Sequence, residues 1–439
     1  MAKLIKKKGC LLVIIALVVV LTGCNSHYKK VTSEKYSSNI STKQWIEDID
    51  YLSKNLPKVH KSLYHSIKKE DFNKEIQSLK NDVPKLKDYE IKCRLSQIVA
   101  SIGDAHTSLN LGFNNSNTYP LVLRWYNEDL RIVAADKEHK DILGKKLVSI
   151  NSVAIDEIIK KVNSLISHEN DQWLKVMNVQ YVLMPDVLKL LGVTSDEKLE
   201  FTLKDDDNKI SKIELFPKTL TTDNTIRVID DMPVKPLMLQ YNVNDLTERL
   251  YWYKYIAEDK ILYFQYNQCI DKDVAQRYGY KDYKNYPVFQ KFTEGLLNEI
   301  TDKNIDKFVV DLRNNTGGDS RLMTEFVNKI AGIDKLKGKI YVIIGRETFS
   351  SGLMAAVDLM NNTKAAFYGE PSGGNVNGFG DIKNLVLPNS KLQLSYSTKY
   401  FSLSDKFNEN FIPDVMVEQN FNDYKQGIDD VYEAIKSRR

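Results

Sequence analysis

Two adjacent serines, Ser350 and Ser351, lie where an apolar run gives way to a helical pattern. The run 340–344 is rich in β-branched residues and too short for a typical helix, so it predicts a buried strand. Apolar residues at helical spacing over 352–360 predict the helix that follows. A serine at such a junction lies beside unpaired backbone N–H groups and the positive end of a helix dipole. Acyl transfer uses this arrangement, because the N–H groups can hold the oxyanion that develops. Serine is also a common N-cap, so the pair alone is compatible with either role.

Two further segments carry residues suited to the same chemistry. The predicted strand 307–313 runs into Gly317 and Gly318. Paired glycines allow positive φ and leave backbone N–H groups unobstructed, as an oxyanion hole requires, although a Gly-Gly turn is also ordinary loop chemistry. His106 follows a helical segment, and histidine is the usual general base near neutral pH. A lone histidine is more often structural, and we interpret His60, near a proline, as a surface residue.

Together, and in this order, these segments resemble the tail-specific proteases, also called C-terminal-processing serine peptidases. The resemblance extends from about residue 45 to 435. It rests on six motifs: GDAHT (103–107), VVDLRNNTGG (309–318), TFSS (348–351), GEPSGGNVNGFGD (369–381), LPNS (387–390) and IPDV (412–415). The resemblance implies an α/β fold with a ClpP/crotonase-like catalytic core, and hydrolysis of peptide bonds.

The resemblance also implies roles for individual residues. Ser350 has the family's spacing before the Gly-Glu-Pro turn (369–371), which makes it the nucleophile rather than Ser351. Ser351 would then contribute its backbone N–H to the oxyanion hole, together with Gly318 or Gly317. Many family members place a lysine base shortly after that turn, where this chain has Asn375.

This departure from the family pattern favours the histidine-dependent, tricorn-like branch, with His106 as the general base. A catalytic histidine usually needs an orienting group, for which Asp381 is the first candidate and Asp104 a weaker one. The nearest lysine downstream of the turn is Lys383. Arg313, at a predicted strand end, is expected to pair with a carboxylate and fix the turn.

The N-terminus has the pattern of a bacterial lipoprotein. Residues 1–23 combine four lysines with the apolar run 11–21, which is typical of a signal peptide. The following sequence, LTGC, resembles a lipobox, so we expect cleavage before Cys24 and lipidation of its thiol. Two acyl chains give stable anchoring, which predicts a lipid-anchored protein on the extracytoplasmic face of the cell membrane. The alternative is an uncleaved N-terminal helix.

The remaining composition excludes several classes of function. The chain of 439 residues has a formal net charge of +4, and the four lysines of the signal peptide account for it: without them 58 basic residues balance 58 acidic ones. Nothing therefore indicates a nucleic-acid partner. Cys93 and Cys269 are too few for a disulfide framework. We find no His/Cys cluster with metal-ligand spacing and expect neither a metal nor a cofactor; no prediction of oligomeric state follows.

Composition and periodicity divide the chain into five predicted regions. The signal peptide is followed by a polar tether (24–42) and a helical region (43–118). A module at 119–218 is similar to a PDZ domain with a helical insertion at 167–191. Alternating strands and helices over 250–439 predict the α/β catalytic core. The function predicted is that of a membrane-anchored serine endopeptidase acting on polypeptides; the alternative is a catalytically inactive peptide- or ligand-binding lipoprotein on the same fold.

Overall fold

The computed structural model describes residues 40–111 and 118–438. The predicted signal peptide, Cys24 and most of the predicted tether therefore lie outside the described residues. Within those two ranges, none of the helices has both the length and the apolar character needed to cross a bilayer.

The helices and strands alternate from residue 246 onward, whereas the preceding part divides into a helical segment and an antiparallel sheet. The α-helices are α1 Thr42–Val59, α2 Lys69–Asp82, α3 Asp88–Ala100, α4 Ile155–Asn163, α5 Asp171–Tyr181, α6 Pro185–Leu190, α7 Leu246–Leu250, α8 Lys272–Arg277, α9 Phe289–Asp302, α10 Arg321–Ala331, α11 Ser351–Asn362, α12 Phe421–Lys425 and α13 Asp430–Ser437. The strands are β1 Ser108–Leu109, β2 Leu121–Tyr126, β3 Asp129–Asp136, β4 Lys146–Ile150, β5 Val153–Ala154, β6 Leu199–Lys204, β7 Ile210–Leu215, β8 Thr225–Arg227, β9 Tyr251–Ile256, β10 Ile261–Tyr266, β11 Lys307–Asp311, β12 Ile340–Ile344, β13 Ala366–Gly369, β14 Asn377–Val386, β15 Gln393–Ser402 and β16 Val415–Met416.

A six-stranded sheet forms the centre of the C-terminal part, in the order β16-β13-β12-β11-β10-β9. Every neighbouring pair is parallel except β9 and β10. Helices cover such a sheet on both faces, so its strands read as continuous apolar runs; all six residues of β10 are buried. The α/β core predicted from the alternating pattern is confirmed.

The strand and helix predicted around Ser350 are both present, as β12 and α11. Ligands of open α/β sheets bind beyond the carboxyl ends of the parallel strands. Ser350 lies at this edge of the sheet, between the end of β12 and the first residue of α11.

The segment between the helical region and the core contains an antiparallel sheet in the order β2-β3-β4-β6-β7, with β5 paired to β4 and β8 paired to β3. Strands β6 and β7 form a hairpin at one edge of this sheet, and the predicted helical insertion contains α5 and α6. Helix α5 packs against β2, where Trp125 Nε1 donates to Asn178 Oδ1 at 3.0 Å. At the start of this helix, Asn170 Nδ2 donates to the carbonyl of Gly373 in the C-terminal part of the chain.

The N-terminal helices α1 to α3 pack with a second small sheet, β1-β15-β14. Strand β1 follows the GDAHT segment directly and pairs with β15, through Ser108 opposite Ser395. This pairing holds the end of the N-terminal helical segment against the long β14–β15 hairpin that follows the Gly-Glu-Pro turn. His106 is thereby brought into the C-terminal half of the protein.

Candidate active site

Ser350 occupies a strained position between β12 and α11. Its backbone has φ 51° and ψ −125°, a left-handed conformation that L-residues seldom adopt. Such a position costs about 1–3 kcal/mol and persists only where surrounding contacts impose it. Those contacts are present on both sides: Phe349 N donates to Asn315 O at 2.9 Å, and the Ser350 carbonyl accepts the first helical hydrogen bond, from Met354 N at 3.0 Å. The chain therefore holds the Ser350 side chain at a sharp strand-to-helix turn.

The two serines of the junction have different surroundings. Ser351 is buried, and its hydroxyl donates to the Gly318 carbonyl at 2.8 Å. Ser350 is only partly buried and faces a cleft. A hydroxyl already committed to a backbone carbonyl is a poor nucleophile, so the geometry favours Ser350 over Ser351.

The paired glycines lie against the serine junction, but they differ in their hydrogen bonds. A Cβ added at Gly317 would lie 2.9 Å from Ser350 Cβ, so only glycine fits there. The Gly317 N–H already donates to Asn315 Oδ1 at 2.9 Å, which removes it as an oxyanion donor and corrects that part of the prediction. Gly318, with φ 134°, lines the cleft together with Ser351.

His106 lies beside this junction, although the two are far apart in the sequence. Its ring stacks on Phe349, the residue before Ser350, with ring centroids 4.5 Å apart. Phe349 in turn stacks on Trp173 of α5 at 4.1 Å. Both His106 and Ser350 line the same cleft. The structure thus brings the predicted base and the predicted nucleophile together.

Asp104 organises the loop that carries His106. It accepts hydrogen bonds from His60 Nε2 at 3.0 Å, from Thr107 Oγ1 at 2.5 Å and from the His106 backbone N–H at 2.9 Å. Burial by itself would raise the pKa of Asp104, but the hydrogen bonds and the neighbouring histidine outweigh it and lower the pKa to about 2. Asp104 is therefore a buried, ionised carboxylate whose oxygens hold the loop in place.

The interpretation of His60 as a surface residue is wrong. Its side chain is buried, and it forms the contact with Asp104 that ties the end of α1 to the loop of His106. Ser62 N donates to His60 Nδ1 at 3.1 Å, which leaves Nε2 to carry the proton that Asp104 accepts. His60 thus stabilises the loop that carries His106 through its hydrogen bond to Asp104.

Glu169 is a site residue that the sequence analysis missed. It lies just before α5, inside the helical insertion, and its Oε2 accepts from the Asn375 backbone N–H at 2.9 Å. The neighbouring Asn170 caps α5, and its Nδ2 donates to Asn375 Oδ1 at 2.9 Å and to Gly373 O at 3.0 Å. Glu169 and Asn170 of the insertion therefore bind the loop that contains Asn375, the position where the sequence resemblance predicts a lysine.

Burial alters the protonation of His106 and Glu169 in opposite senses. Burial lowers the pKa of His106, and the nearby Asp104 charge opposes this only in part. Burial also raises the pKa of Glu169 to about 8; the Asp104 charge adds to this effect, and the Asn375 and Ala105 amides oppose it. Both side chains are thus neutral over much of the neutral range, which is the state that His106 needs to accept a proton.

Asp104, His106 and Glu169 also deserve comparison with a metal site, because their ligand atoms all lie within 4.8 Å of one another. A structural zinc site uses four ligands with open lone pairs. The oxygens of Asp104 already accept three hydrogen bonds, so the trio offers fewer open positions than such a site requires. We interpret it as a hydrogen-bonding constellation around His106.

Asp381, the predicted orienting residue, has other partners. Its Oδ2 accepts from Thr398 Oγ1 at 3.0 Å and pairs with Lys399 Nζ at 3.0 Å. Asp381 and Lys399 both line the cleft, whereas Lys383 is exposed on β14 and does not line it. The nearest carboxylate oxygen to His106 Nδ1 among the described ion pairs is Asp104 Oδ1, at 3.9 Å.

Arg313 has the structural role predicted for it. The guanidinium is buried and bonds to Asp311 at 2.8 Å and to Asp429 at 2.9 Å. These contacts fasten the end of β11 to the start of α13, directly before the turn that leads to Gly317.

The cleft at the serine junction has a volume of about 490 Å³. Ser350, His106 and Glu169 line this cleft. Its apolar lining residues come from α11 and from the β14–β15 hairpin with the residues that flank it: Leu353, Met354, Val376, Phe379, Phe401 and Leu403. At one end Asp319 bridges two arginines, with Arg277 at 2.6 Å and Arg321 at 2.5 Å.

Comparison with known proteins relates this arrangement to solved structures. The sequence matches no family profile and no curated protein. Mature CPAF in complex with lactacystin aligns with a TM-score of 0.64 and 11% identity, covering 90% of this chain and 97% of that chain. The tricorn protease aligns with a TM-score of 0.44 and 13% identity, covering 90% of this chain and 36% of that one. The photosystem II D1 C-terminal processing protease gives a TM-score of 0.39 and 13% identity, with coverage of 88% and 94%. The similarity to CPAF shows that this chain has the same α/β fold.

Proposed function

We propose that this protein is a serine endopeptidase of the tail-specific type that hydrolyses polypeptides through an acyl-enzyme on Ser350. The observation that carries the proposal is the strained Ser350 at a strand-to-helix junction, with His106 stacked on the adjacent Phe349 in the same cleft. The fold shared with CPAF supports it.

The proposed reaction follows from the roles of these groups. Ser350 Oγ attacks the substrate carbonyl carbon while His106 takes the hydroxyl proton. The carbonyl oxygen becomes an oxyanion, which the N–H groups of Gly318 and Ser351 stabilise at the positive end of α11. His106 then gives the proton to the leaving amine, and water hydrolyses the acyl-enzyme by the same steps in reverse. Neither a metal nor a cofactor has a part in this scheme.

We further propose that the protein is anchored to the membrane through a lipid on Cys24 and acts on the extracytoplasmic face. The lysines, apolar run and lipobox of the N-terminus carry this proposal. Cys24→Ala should release the protein from the membrane fraction or block its maturation. A variant that stays membrane-bound and is processed normally would contradict the lipoprotein assignment.

The division into a helical region, a PDZ-like module and a catalytic core is also part of the proposal. Polypeptide substrate would lie in the cleft, against the apolar residues that line it. A peptide would make a second contact with the PDZ-like module (119–218), by pairing as an added strand with an edge of its sheet.

Labelling with a fluorophosphonate probe tests the proposed activity, because only an activated serine reacts quickly. We expect the wild-type protein to be labelled on Ser350, as located by mass spectrometry of the digested protein. Ser350→Ala should abolish labelling and proteolysis. Ser351→Ala is the matched control and should do less, since its backbone N–H survives the substitution. Absence of labelling in a folded wild-type protein would favour the inactive binding protein instead.

A further inference from the structure

Three buried polar atoms around the proposed base have no hydrogen-bond partner among the residues that the structure describes. They are Nδ1 and Nε2 of His106 and Oε1 of Glu169. Leaving a buried polar atom without a hydrogen bond destabilises the folded state, so such atoms are rare unless a function requires them. One His106 nitrogen must stay open for Ser350 if His106 is the base. A ring nitrogen of His106 and a carboxylate oxygen of Glu169 lie within 4.8 Å of each other, in one constellation with Asp104.

The other two carboxylates considered for His106 are already occupied. Asp104 lies 3.9 Å from His106 Nδ1, which is too long for a hydrogen bond, and its oxygens accept from His60, Thr107 and the His106 backbone. Asp381 pairs with Lys399 on the β14–β15 hairpin. Glu169 differs from both, because one of its oxygens remains available.

Glu169 is also held in place from its other side. Its Oε2 accepts the Asn375 N–H, and the adjacent Asn170 caps α5 and bonds the Asn375 side chain. The carboxylate is therefore fixed at one oxygen, while the second oxygen, Oε1, is buried without a hydrogen-bond partner.

We propose that Glu169 is the positioning residue for His106: Oε1 accepts the N–H of one ring nitrogen, which leaves the other nitrogen free to take the proton of Ser350. This inference rests on the proposed function, since an orienting group matters only to a working base. It gives the helical insertion of the PDZ-like region a role in positioning His106, and it excludes Asp381 as the orienting residue.

The inference makes activity depend on the ionisation of Glu169. A protonated carboxyl would donate to His106 and place the ring proton on the nitrogen that should face Ser350; an ionised carboxylate accepts and fixes the productive tautomer. The groups facing Glu169 are Asp104 and His106 from the segment after α3, and the backbone amides of Ala105 and Asn375. His168, the preceding residue on its own segment, is turned to the Ile166 carbonyl at 2.7 Å. Activity should therefore rise with pH through the pKa of Glu169, about 8.

Glu169→Gln tests the inference sharply because Asn375 controls the orientation of the new amide. The Asn375 N–H needs an acceptor, so the glutamine oxygen must face Asn375 and its NH2 must face His106. The amide then donates to the histidine and favours the unproductive tautomer. At about pH 9, where Glu169 of the wild type is ionised, we expect the rate constant for fluorophosphonate labelling to fall on the order of 10²–10⁴-fold, as when a catalytic histidine is given the wrong tautomer.

Two other variants provide the controls. Asp171→Asn removes an exposed carboxylate from the first turn of α5 and should change the labelling rate less than about threefold. Asp381→Asn should have a much smaller effect than Glu169→Gln. A Glu169→Gln protein labelled within threefold of the wild type, or a larger loss in Asp381→Asn, would overturn the inference.

A spectroscopic measurement separates this inference from the proposed activity. ¹⁵N NMR of the histidine-labelled full-length protein, assigned with His106→Gln, reports which ring nitrogen carries the proton at about pH 9, above the pKa of Glu169. The proton should move to the other nitrogen in Glu169→Gln. An unchanged tautomer would refute the contact even if labelling is strong. A changed tautomer would support the contact even if the wild type proves not to be labelled, in which case the proposed function alone fails.

Discussion

The two halves of the candidate site are built in opposite ways. The nucleophile lies in a local structure: β12, the turn and α11 follow each other directly, and Ser350 is positioned by bonds to its own helix and to Asn315. The base is positioned by segments that are remote from one another. His106 depends on His60 and Asp104, on the stack of Phe349 and Trp173, and on the insertion that carries Glu169.

This difference has a consequence for how the site can vary. A strained junction is a single unit, so a change there removes the nucleophile or leaves it intact. The surroundings of the base are assembled from parts, each of which can be changed alone. Asn375 lies where the sequence resemblance predicts a lysine base, and the insertion supplies the contacts made to that loop. We infer that the general base of this chain is His106, which is positioned by segments that are remote from one another in the sequence.

Removing the base itself should give the largest effect on this half. His106→Ala should lower kcat on the order of 10⁴–10⁶-fold, comparable to the loss of a triad member, while Ser350 and the oxyanion donors stay in place. The measurement is kcat on a fluorogenic polypeptide for the purified protein. His139→Ala, in the segment between β3 and β4, is the matched control and should leave kcat unchanged. A near-normal rate in His106→Ala would mean that another group, such as Lys399, accepts the proton.

The same contrast explains which features the sequence could predict. Strands β11 and β12, helix α11 and the pairing of Arg313 with a carboxylate all follow from short-range patterns, and the structure confirms them. His60 was misjudged because its partner, Asp104, is distant in sequence and only the fold makes it a buried ligand. Glu169 lies in a connecting segment without periodicity, so nothing in its local sequence marks it. Gly317 carried the right local signal, but its N–H is taken by a side chain two residues earlier.

A second, smaller effect concerns pH and stability. Glu169 has a pKa of about 8 in the folded protein against 4.5 in the unfolded chain. Between these values the unfolded state releases the proton more readily, so this group lowers the free energy of unfolding as pH rises from about 4.5 to about 8. Glutamine cannot ionise. We expect the Tm of the wild type to fall more than that of Glu169→Gln over this range, measured by scanning calorimetry.

For His106, the dependence of the free energy of unfolding on pH has the opposite sign. Burial lowers its folded pKa, so the unfolded state binds a proton first as pH falls below about 6.5, and stability is lost on the acid side. His106→Gln should therefore weaken the fall in Tm as pH drops below about 6.5, while leaving intact the fall that Glu169 causes as pH rises from about 4.5 to about 8. Equal pH dependence of Tm in the wild type and both variants would show that neither group is buried as described.

The smallest expected effect comes from the residue that joins the insertion to the Asn375 loop. Asn170→Ala removes the N-cap of α5 and the two hydrogen bonds to Asn375 and Gly373. Loss of a cap costs about 0.5–2 kcal/mol, and each hydrogen bond about 0.5–1.5 kcal/mol, which predicts a destabilisation of about 1.5–5 kcal/mol by denaturant unfolding. Because Asn170 also holds the loop against which Glu169 rests, kcat should fall as well, by about tenfold.

Asn420→Ala is the matched control, since Asn420 caps α12 in the same way but touches none of these residues. If both variants lose stability and neither loses activity, the insertion stabilises the fold without positioning the base; a loss of kcat confined to Asn170→Ala would tie the insertion to the chemistry of His106.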